Sequence, residues 1–164
     1  MLRVIGCDPG RTGALAFLCG GAVLDVIDVP LIPDNSQVQV DGKRLCAWIE
    51  KHLPIHLAVI ENVQPMRGKG NDSQGMPAGN AFRFGFIAGE LRMAFKCYGI
   101  DIELVTPGQW KRYFELIKQE KEASRQKAVQ LRQEATPWLM RKGDHNRAEA
   151  VLIGLFGMEQ RGML

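Results

Sequence analysis

The sequence has few cysteines, little net charge and no long hydrophobic run. Its four cysteines are widely spaced and include no Cys-x-x-Cys pair, which argues against a zinc knuckle or a disulfide framework. No apolar run approaches the ~18 residues of a membrane span. The first residues show neither the apolar stretch nor the cleavage site of a secretory signal. We therefore expect a cytoplasmic protein with reduced thiols.

Length and composition predict one globular domain over residues 1–164, because 46% of the residues are apolar and 24% are charged. Three apolar segments joined by tight turns come first, and the later strands alternate with helices. The predicted strands are 2–7, 13–19, 22–29, 56–61 and 101–105, and the predicted helices between them are 41–53 and 81–98. This order predicts an α/β fold with a mixed five-stranded sheet, three antiparallel strands and then parallel ones, and helices on both faces.

The net charge of +3 is too small to indicate a partner, but the basic residues are concentrated in one segment. Residues 108–147 hold ten basic and five acidic residues. A basic asymmetry of this kind attracts polyanions. Because glutamates are interleaved with the bases, a solvated helix face explains the same pattern equally well.

Acidic residues end the two most apolar strands, at Asp8 and Glu61. If these strands are neighbours, the two carboxylates meet at one edge of the sheet and repel each other unless a divalent cation neutralises them. The last predicted helix, over 144–156, adds further ligand types near its start: Asp144, His145, Asn146 and Glu149. Oxygen ligands from scattered elements are typical of Mg²⁺ or Mn²⁺ sites that cleave phosphodiesters. Taken singly, Asp8 also fits a turn and Glu149 a half-buried helix acid.

Four segments occur in a characteristic order: GCDPGRTGA at 6–14, VIE at 59–61, LVTP at 104–107 followed by Trp110-Lys111, and DHNRAEA at 144–150. Together they resemble the motifs of RuvC-like Holliday junction resolvases, which belong to the ribonuclease H-like superfamily. The resemblance covers nearly the whole chain. It implies a ribonuclease H-like fold and a site that binds Mg²⁺, with two ions and with Mn²⁺ able to substitute.

The resemblance also implies a set of catalytic metal ligands: Asp8, Glu61, Glu149 and a fourth residue near the start of the last helix. Glu149 stands where the family usually has Asp. Asn146 stands where the better-known bacterial members carry Asp or His, and Asn is a poorer ligand. We favour Asp144 as the fourth ligand because the site needs negative charge, and His145 and Asn146 remain alternatives.

In function, the resemblance implies a crossover junction endodeoxyribonuclease that makes paired symmetric nicks in four-way DNA junctions. Such an enzyme acts in recombination, repair or processing of branched DNA, in a bacterial cytoplasm or a phage-infected host cell. The resemblance also implies a homodimer through the helix around Gly85 and Gly89. Residues at positions suited to contact DNA are Gln64, Arg67 and Lys69, with Met66 as an apolar wedge, and Lys111, Arg112, Lys118 and Arg125.

Three other functions fit parts of the sequence. The Asp-x-Gly-x-Thr pattern at 8–12 also opens the phosphate-binding hairpin of actin-like and sugar-kinase ATPases, but those proteins need two such domains. A catalytically inactive junction- or RNA-binding protein is favoured only by Asn146. A nuclease of the same superfamily that acts on RNA fits the same motifs.

Overall fold

The computed structural model describes residues 1–32, 38–62 and 78–162. Within them a five-stranded sheet consists of β1 (Arg3–Asp8), β2 (Ala14–Cys19), β3 (Ala22–Asp28), β6 (Leu57–Glu61) and β7 (Asp101–Val105). The strand order in this sheet is β3-β2-β1-β6-β7. The pairs β1–β2 and β2–β3 are antiparallel, whereas β1–β6 and β6–β7 are parallel. The predicted mixed sheet is confirmed.

The helices pack on the two faces of this sheet. They are α1 (Gly42–Lys51), α2 (Ala78–Cys97), α3 (Pro107–Tyr113), α4 (Lys121–Leu131) and α5 (His145–Glu159), with a 3₁₀ helix at Gln133–Trp138. Alternate residues of a strand face opposite sides. In β1, Val4 therefore joins a core with α3, α4 and α5, whereas Ile5 joins a second core with α1 and α2. Since β1 and β6 are covered on both sides, they consist almost entirely of apolar residues.

Some predicted boundaries were wrong. The first helix begins after its N-cap Asp41, as predicted, but ends at Lys51 rather than at residue 53. The helix predicted over 81–98 begins three residues earlier, at Ala78, so the end of the predicted 62–80 loop is helical. The remainder of that loop, 63–77, lies outside the described residues. A small two-stranded sheet, β4 (Leu31–Ile32) with β5 (Gln39–Val40), was not predicted.

Helix α5 lies directly against the middle of the sheet. A Cβ atom at Gly6 of β1 would collide with the backbone of Ala150 and Gly154. Glycine is therefore required on the strand for the two backbones to approach this closely. This contact fixes the height of α5 relative to β1, and thereby the position of Glu149 in the second turn of α5.

No helix among residues 1–32, 38–62 and 78–162 combines the length and hydropathy that crossing a membrane requires.

Candidate active site

Two of the predicted acids lie side by side at the carboxyl edge of the sheet. Cys7 of β1 pairs with Ile60 of β6 in parallel register, so the next residues, Asp8 and Glu61, end adjacent strands. Both carboxylates are buried, at 9% and 6% exposure. Burial, reinforced by the negative charges of Glu61 and Glu149, raises the pKa of Asp8 well above its usual value. The same three carboxylates therefore share one electrostatic environment.

Glu149 reaches this environment from the second turn of α5, and it is 9% exposed. The Lys111 ammonium lies 3.3 Å from its Oε1 atom. The buried hydroxyl of Ser124, on α4, donates a hydrogen bond to the same oxygen at 3.2 Å. Glu149 is thus held from two neighbouring helices, one of which supplies a positive charge.

Glu61 is held from α3. The indole N–H of Trp110 donates to Glu61 Oε1 at 2.8 Å, and both side chains are buried. Burial raises the pKa of Glu61, and the charge of Glu149 adds to this, whereas the Trp110 hydrogen bond opposes it. Helix α3 begins at Pro107, where the backbone N–H of Thr106 donates to the Gln109 side chain at 2.7 Å. This capped start fixes the height at which Trp110 and Lys111 meet the two glutamates.

The predicted fourth ligand, Asp144, is held by hydrogen bonds from Arg141. Asp144, the N-cap residue of α5, is 5% exposed and accepts two hydrogen bonds of 2.8 Å from Arg141, one from its backbone N–H and one from its guanidinium. Burial alone would raise the pKa of Asp144, but these hydrogen bonds and the charges of Arg141 and Arg147 hold it below its usual value. The Asn146 side-chain amide donates to the Thr12 carbonyl at 2.6 Å, and His145 is half-buried.

The donor set at the sheet edge fits a hard divalent cation. Asp8, Glu61 and Glu149 supply only carboxylate oxygens, which Mg²⁺ and Mn²⁺ prefer. Among the described residues no donor reaches the Asp8 carboxylate or Oε2 of either glutamate. In the same part of the chain, however, no three His, Cys, Asp or Glu side chains are already arranged closely enough to hold an ion. A cation would therefore have to draw the carboxylates together.

A basic hollow of about 540 Å³ lies next to Asp144, which is one of its lining residues. It is lined by the turn after β1 and by the start of α5, and its basic residues are Arg11, Lys121, Arg141 and Arg147. Arg141 and Arg147 form ion pairs with Asp144 and Asp28, whereas no ion pair of Arg11 or Lys121 occurs within the described residues. Lys121 also lies close enough to lower the pKa of Asp8. Anionic ligands could approach the carboxylates from this side.

Comparison with solved structures identifies the fold. Over 99% of this chain and 98% of the other, the model is similar to Thermus thermophilus RuvC, with 17% identity and a TM-score of 0.62. The same protein in complex with a Holliday junction substrate matches with 15% identity and a TM-score of 0.57. The chain has the RuvC fold. The yeast mitochondrial Holliday junction resolvase Ydc2 also matches, with 13% identity and a TM-score of 0.57, over 99% of this chain and 80% of that one.

The predicted resemblance to RuvC is thus confirmed as a structural similarity of nearly full length. At 13–17% identity it establishes the ribonuclease H-like fold alone. No protein-family model matches the sequence. No curated protein matches it either.

The residues predicted to contact DNA have different surroundings in this RuvC fold. Arg112 and Lys118 are exposed, whereas Lys111 lies inside the acidic site. Arg125 pairs with Glu122 and donates to the Leu139 carbonyl at 2.9 Å, so part of its hydrogen-bonding capacity is used within the protein. Gln64, Met66, Arg67 and Lys69 lie outside the described residues.

The helix predicted to form a dimer exposes an apolar face. Gly85 and Gly89 are exposed, and a Cβ atom at either would meet nothing within 4 Å. Phe82, Phe86 and Met93 lie on the same side of α2 and are 63%, 39% and 62% exposed. We call these five residues the α2 face. Large exposed apolar groups clustered around small residues are typical of a surface that packs against a partner.

The uncharged side chains that hold Glu61 and Glu149 were not predicted as site residues from the sequence. Trp110 was noted only as part of a turn motif, and Ser124 was not identified at all. The signal for Ser124 is weak: it lies four residues before Ala128, so the two share the buried face of an otherwise polar helix. Arg11 was likewise missed, although it directly follows the Asp8-Pro9-Gly10 turn.

Proposed function

We propose that the chain is a divalent-metal-dependent endonuclease that resolves four-way DNA junctions by paired symmetric nicks. The observation that carries this proposal is the convergence of three buried carboxylates, Asp8, Glu61 and Glu149, at the edge of a RuvC fold. Mutual repulsion among buried acids is costly unless a cation compensates it. A structural neighbour, RuvC, has been solved in complex with a Holliday junction substrate, which supports branched DNA as the ligand.

Asp8, Glu61 and Glu149 would hold Mg²⁺ or Mn²⁺, with Asp144 as the proposed fourth ligand and His145 or Asn146 as alternatives. When bound, divalent ions of this kind activate a water for attack and stabilise the leaving oxygen of a phosphodiester. Asp144 must give up hydrogen bonds from Arg141 before it can act as a ligand. The Lys111 ammonium balances Glu149 before a cation is present, and it lies within reach of an incoming phosphate.

Basic residues around the acidic site would bind the DNA backbone. Arg11 and Lys121 line the hollow next to Asp8, and Arg112 and Lys118 are exposed on the following segment. Phosphate contacts of this type give affinity that decreases steeply with salt concentration. We also retain Gln64, Arg67, Lys69 and Arg125 as proposed DNA contacts, and Met66 as a proposed wedge at the junction.

A homodimer through the α2 face would place two such sites on opposite strands of a junction. The exposed apolar area of Phe82, Phe86 and Met93 supports this assembly. Gly85 and Gly89 would let the two copies of α2 approach closely, because neither carries a side chain.

A second candidate is a protein of the same fold that binds branched DNA or RNA without cutting it. Two observations favour it: Asp144 is engaged by Arg141, and Asn146 is bonded to Thr12. In that case the acids at the sheet edge would be a remnant of a nuclease site.

The substrate is tested by incubating the protein with Mg²⁺ and one labelled nucleic acid at a time: a four-way junction, a replication fork, a linear duplex or an RNA–DNA hybrid. We expect paired symmetric nicks in the four-way junction alone. Binding of the junction without cleavage would support the second candidate. Preferential cutting of the hybrid would instead indicate a nuclease that acts on RNA.

The ligands are tested by single substitutions: Asp8→Asn, Glu61→Gln, Glu149→Gln, Asp144→Asn, His145→Ala and Asn146→Ala. Loss of a direct ligand should abolish cutting without unfolding the protein. Unchanged cutting by Asp144→Asn together with loss of cutting by Asn146→Ala would move the fourth ligand to Asn146.

A further inference from the structure

The two glutamates of the candidate site are each held by an uncharged donor from a helix outside the acidic motifs. Trp110 of α3 donates to Glu61 Oε1 at 2.8 Å, and Ser124 of α4 donates to Glu149 Oε1 at 3.2 Å. Trp110 is 0% exposed and Ser124 is 3% exposed, so water does not compete for either hydrogen bond. The side chains of Trp110 and Ser124 are therefore fixed by packing before any ligand binds.

Each of these two donors leaves the second carboxylate oxygen of its glutamate without a partner. In each glutamate the Oε1 atom is occupied, whereas no donor reaches Oε2 within the described residues. An indole N–H can only donate, so the Trp110 bond requires Glu61 to act as the acceptor. Because both donors are neutral, neither competes electrostatically with a cation, in contrast to the Lys111 ammonium at Glu149.

We propose that Trp110 and Ser124 are positioning residues that hold Glu61 and Glu149 by Oε1 and thereby keep Oε2 of each available to a divalent cation. This inference rests on the proposed metal-dependent function. Removing Trp110 leaves Glu61 without its hydrogen-bond donor, and removing Ser124 leaves Glu149 held by Lys111 alone. Binding of a cation must then order a more mobile side chain. Partners of metal ligands commonly contribute about 10–100-fold to metal affinity in this way.

The test compares Trp110→Phe and Ser124→Ala with the wild type in titrations with Mn²⁺ followed by calorimetry. Trp48→Phe is the matched control. Trp48 is also a buried tryptophan whose indole N–H donates to a carboxylate, that of Asp25 at 3.2 Å, but it belongs to the core on the opposite face of the sheet. Circular dichroism and thermal unfolding establish that each variant is folded.

We expect Trp110→Phe and Ser124→Ala to weaken Mn²⁺ binding by about 10-fold or more, and Trp48→Phe to leave it unchanged. The concentration of Mg²⁺ needed for half-maximal junction cutting should rise in parallel, and saturating Mg²⁺ should restore the rate. A purely structural role would lower the rate at every Mg²⁺ concentration and leave the half-maximal concentration unmoved.

A second measurement uses tryptophan fluorescence to follow the hydrogen bond between Trp110 and Glu61. The chain has three tryptophans, so in a Trp48→Phe/Trp138→Phe variant the fluorescence comes from Trp110 alone. Addition of Mn²⁺ should change this fluorescence, and the further substitution Glu61→Gln should remove the change.

The outcomes separate the two proposals. If the wild type binds Mn²⁺ and cuts junctions but both variants bind as tightly as Trp48→Phe, the positioning role is wrong and the proposed function stands. If the wild type neither binds Mn²⁺ nor cuts, both are wrong. If Trp110→Phe does not fold, Ser124→Ala decides, because it removes only a hydroxyl group.

Discussion

Asp8 is the least compensated of the three acids at the sheet edge. Glu61 accepts a hydrogen bond from Trp110, and Glu149 is held by Lys111 and Ser124. Within the described residues no donor reaches the Asp8 carboxylate, which is 9% exposed. Its ionised form is therefore disfavoured by burial and by its acidic neighbours, as its raised pKa indicates. We therefore expect Asp8 to lower the stability of the metal-free fold.

Replacing Asp8 by Asn should accordingly change stability and activity in opposite directions. Asn is nearly isosteric and uncharged, so it removes the repulsion with Glu61 and Glu149. We expect the variant without divalent ions to be more stable by about 1 kcal/mol, which corresponds to a thermal midpoint ~2–4 °C higher for a domain of this size. Junction cutting in Mg²⁺ should be lost. Scanning calorimetry in EDTA measures the first effect, and a midpoint lower than that of the wild type would contradict it.

A second group of charged side chains connects β3 to α1, next to the core that contains Trp48. Asp25 Oδ2 accepts hydrogen bonds from Lys51 at 2.8 Å and from Trp48 at 3.2 Å, and lies 2.9 Å from His52 Nε2. Burial would raise the pKa of Asp25, but Lys51 and His52 hold it below its usual value. Burial, together with the charges of Lys51 and Arg3, lowers the pKa of His52 despite Asp25. Neutral His52 is the form that the fold favours.

The stability of the fold should therefore depend on pH through His52. Because the pKa of His52 is lower in the folded chain, the unfolded chain takes up a proton first as the pH falls. The contribution of neutral His52 to the free energy of unfolding is therefore lost as the pH falls below the ordinary pKa of 6.5. Asp8 and Glu61, whose pKa values are raised, shift stability in the opposite direction, so a comparison with a His52 variant isolates the effect. Urea unfolding at pH 7.5 and pH 5.5 should show a larger loss for the wild type than for His52→Gln. Equal losses would exclude His52 as the titrating group.

At the scale of elements, the approach of α5 to β1 determines where Glu149 lies. Gly6 faces Gly154 so closely that the Cα atom of Gly6 would be 3.3 Å from a Cβ atom built at Gly154. The same substitution would also press against Leu18. The two glycines therefore act as a pair that lets a helix lie against the central strand at backbone contact distance.

Gly6→Ala should destabilise the protein more than a typical core substitution. The added methyl group meets backbone atoms of α5, which cannot move aside as a side chain can, and overpacking of this kind costs about 1–3 kcal/mol or more. Gly42→Ala is the matched control, because a Cβ there would meet nothing within 4 Å and Gly42 begins α1. Denaturant unfolding measures both. A Gly6→Ala variant as stable as Gly42→Ala would contradict the close packing.

The sequence patterns that predicted the elements are local, and this explains both their success and their limits. Continuous apolar runs such as 57–60 indicate a central strand, because neighbouring elements cover both of its faces. Strands β4 and β5 have two residues each and are too short to produce a pattern. The Trp110–Glu61 hydrogen bond joins residues 49 positions apart, so only the folded chain brings them together. The Asp144–Arg141 pair is local, but its competition with a metal is not apparent from the sequence.

At the scale of the whole molecule, acidic and basic residues are arranged around one edge of the sheet. The acids Asp8, Glu61 and Glu149 are buried there, and Arg11 and Lys121 line the hollow at the start of α5. A bound cation would cancel part of the acidic charge, so the surface proposed to face DNA would be more basic than the net charge of +3 indicates. The proposed symmetric cutting additionally requires two copies of this surface in a fixed geometry.

The α2 face should supply that geometry. Introducing a charge at Phe82, which is 63% exposed, should leave the monomer folded and prevent dimerisation, because an unpaired carboxylate would be buried between the two helices. Phe82→Glu should therefore weaken the dimer by ~2 kcal/mol or more, measured by analytical ultracentrifugation. Met140→Glu is the matched control, since Met140 is also an exposed apolar residue, at 75%, and lies outside this helix. The Phe82→Glu variant should still nick junctions, but on one strand at a time, so that the two cuts lose their coordination. A wild-type chain that is monomeric at all concentrations, or a variant that dimerises as well as Met140→Glu does, would exclude α2 as the interface.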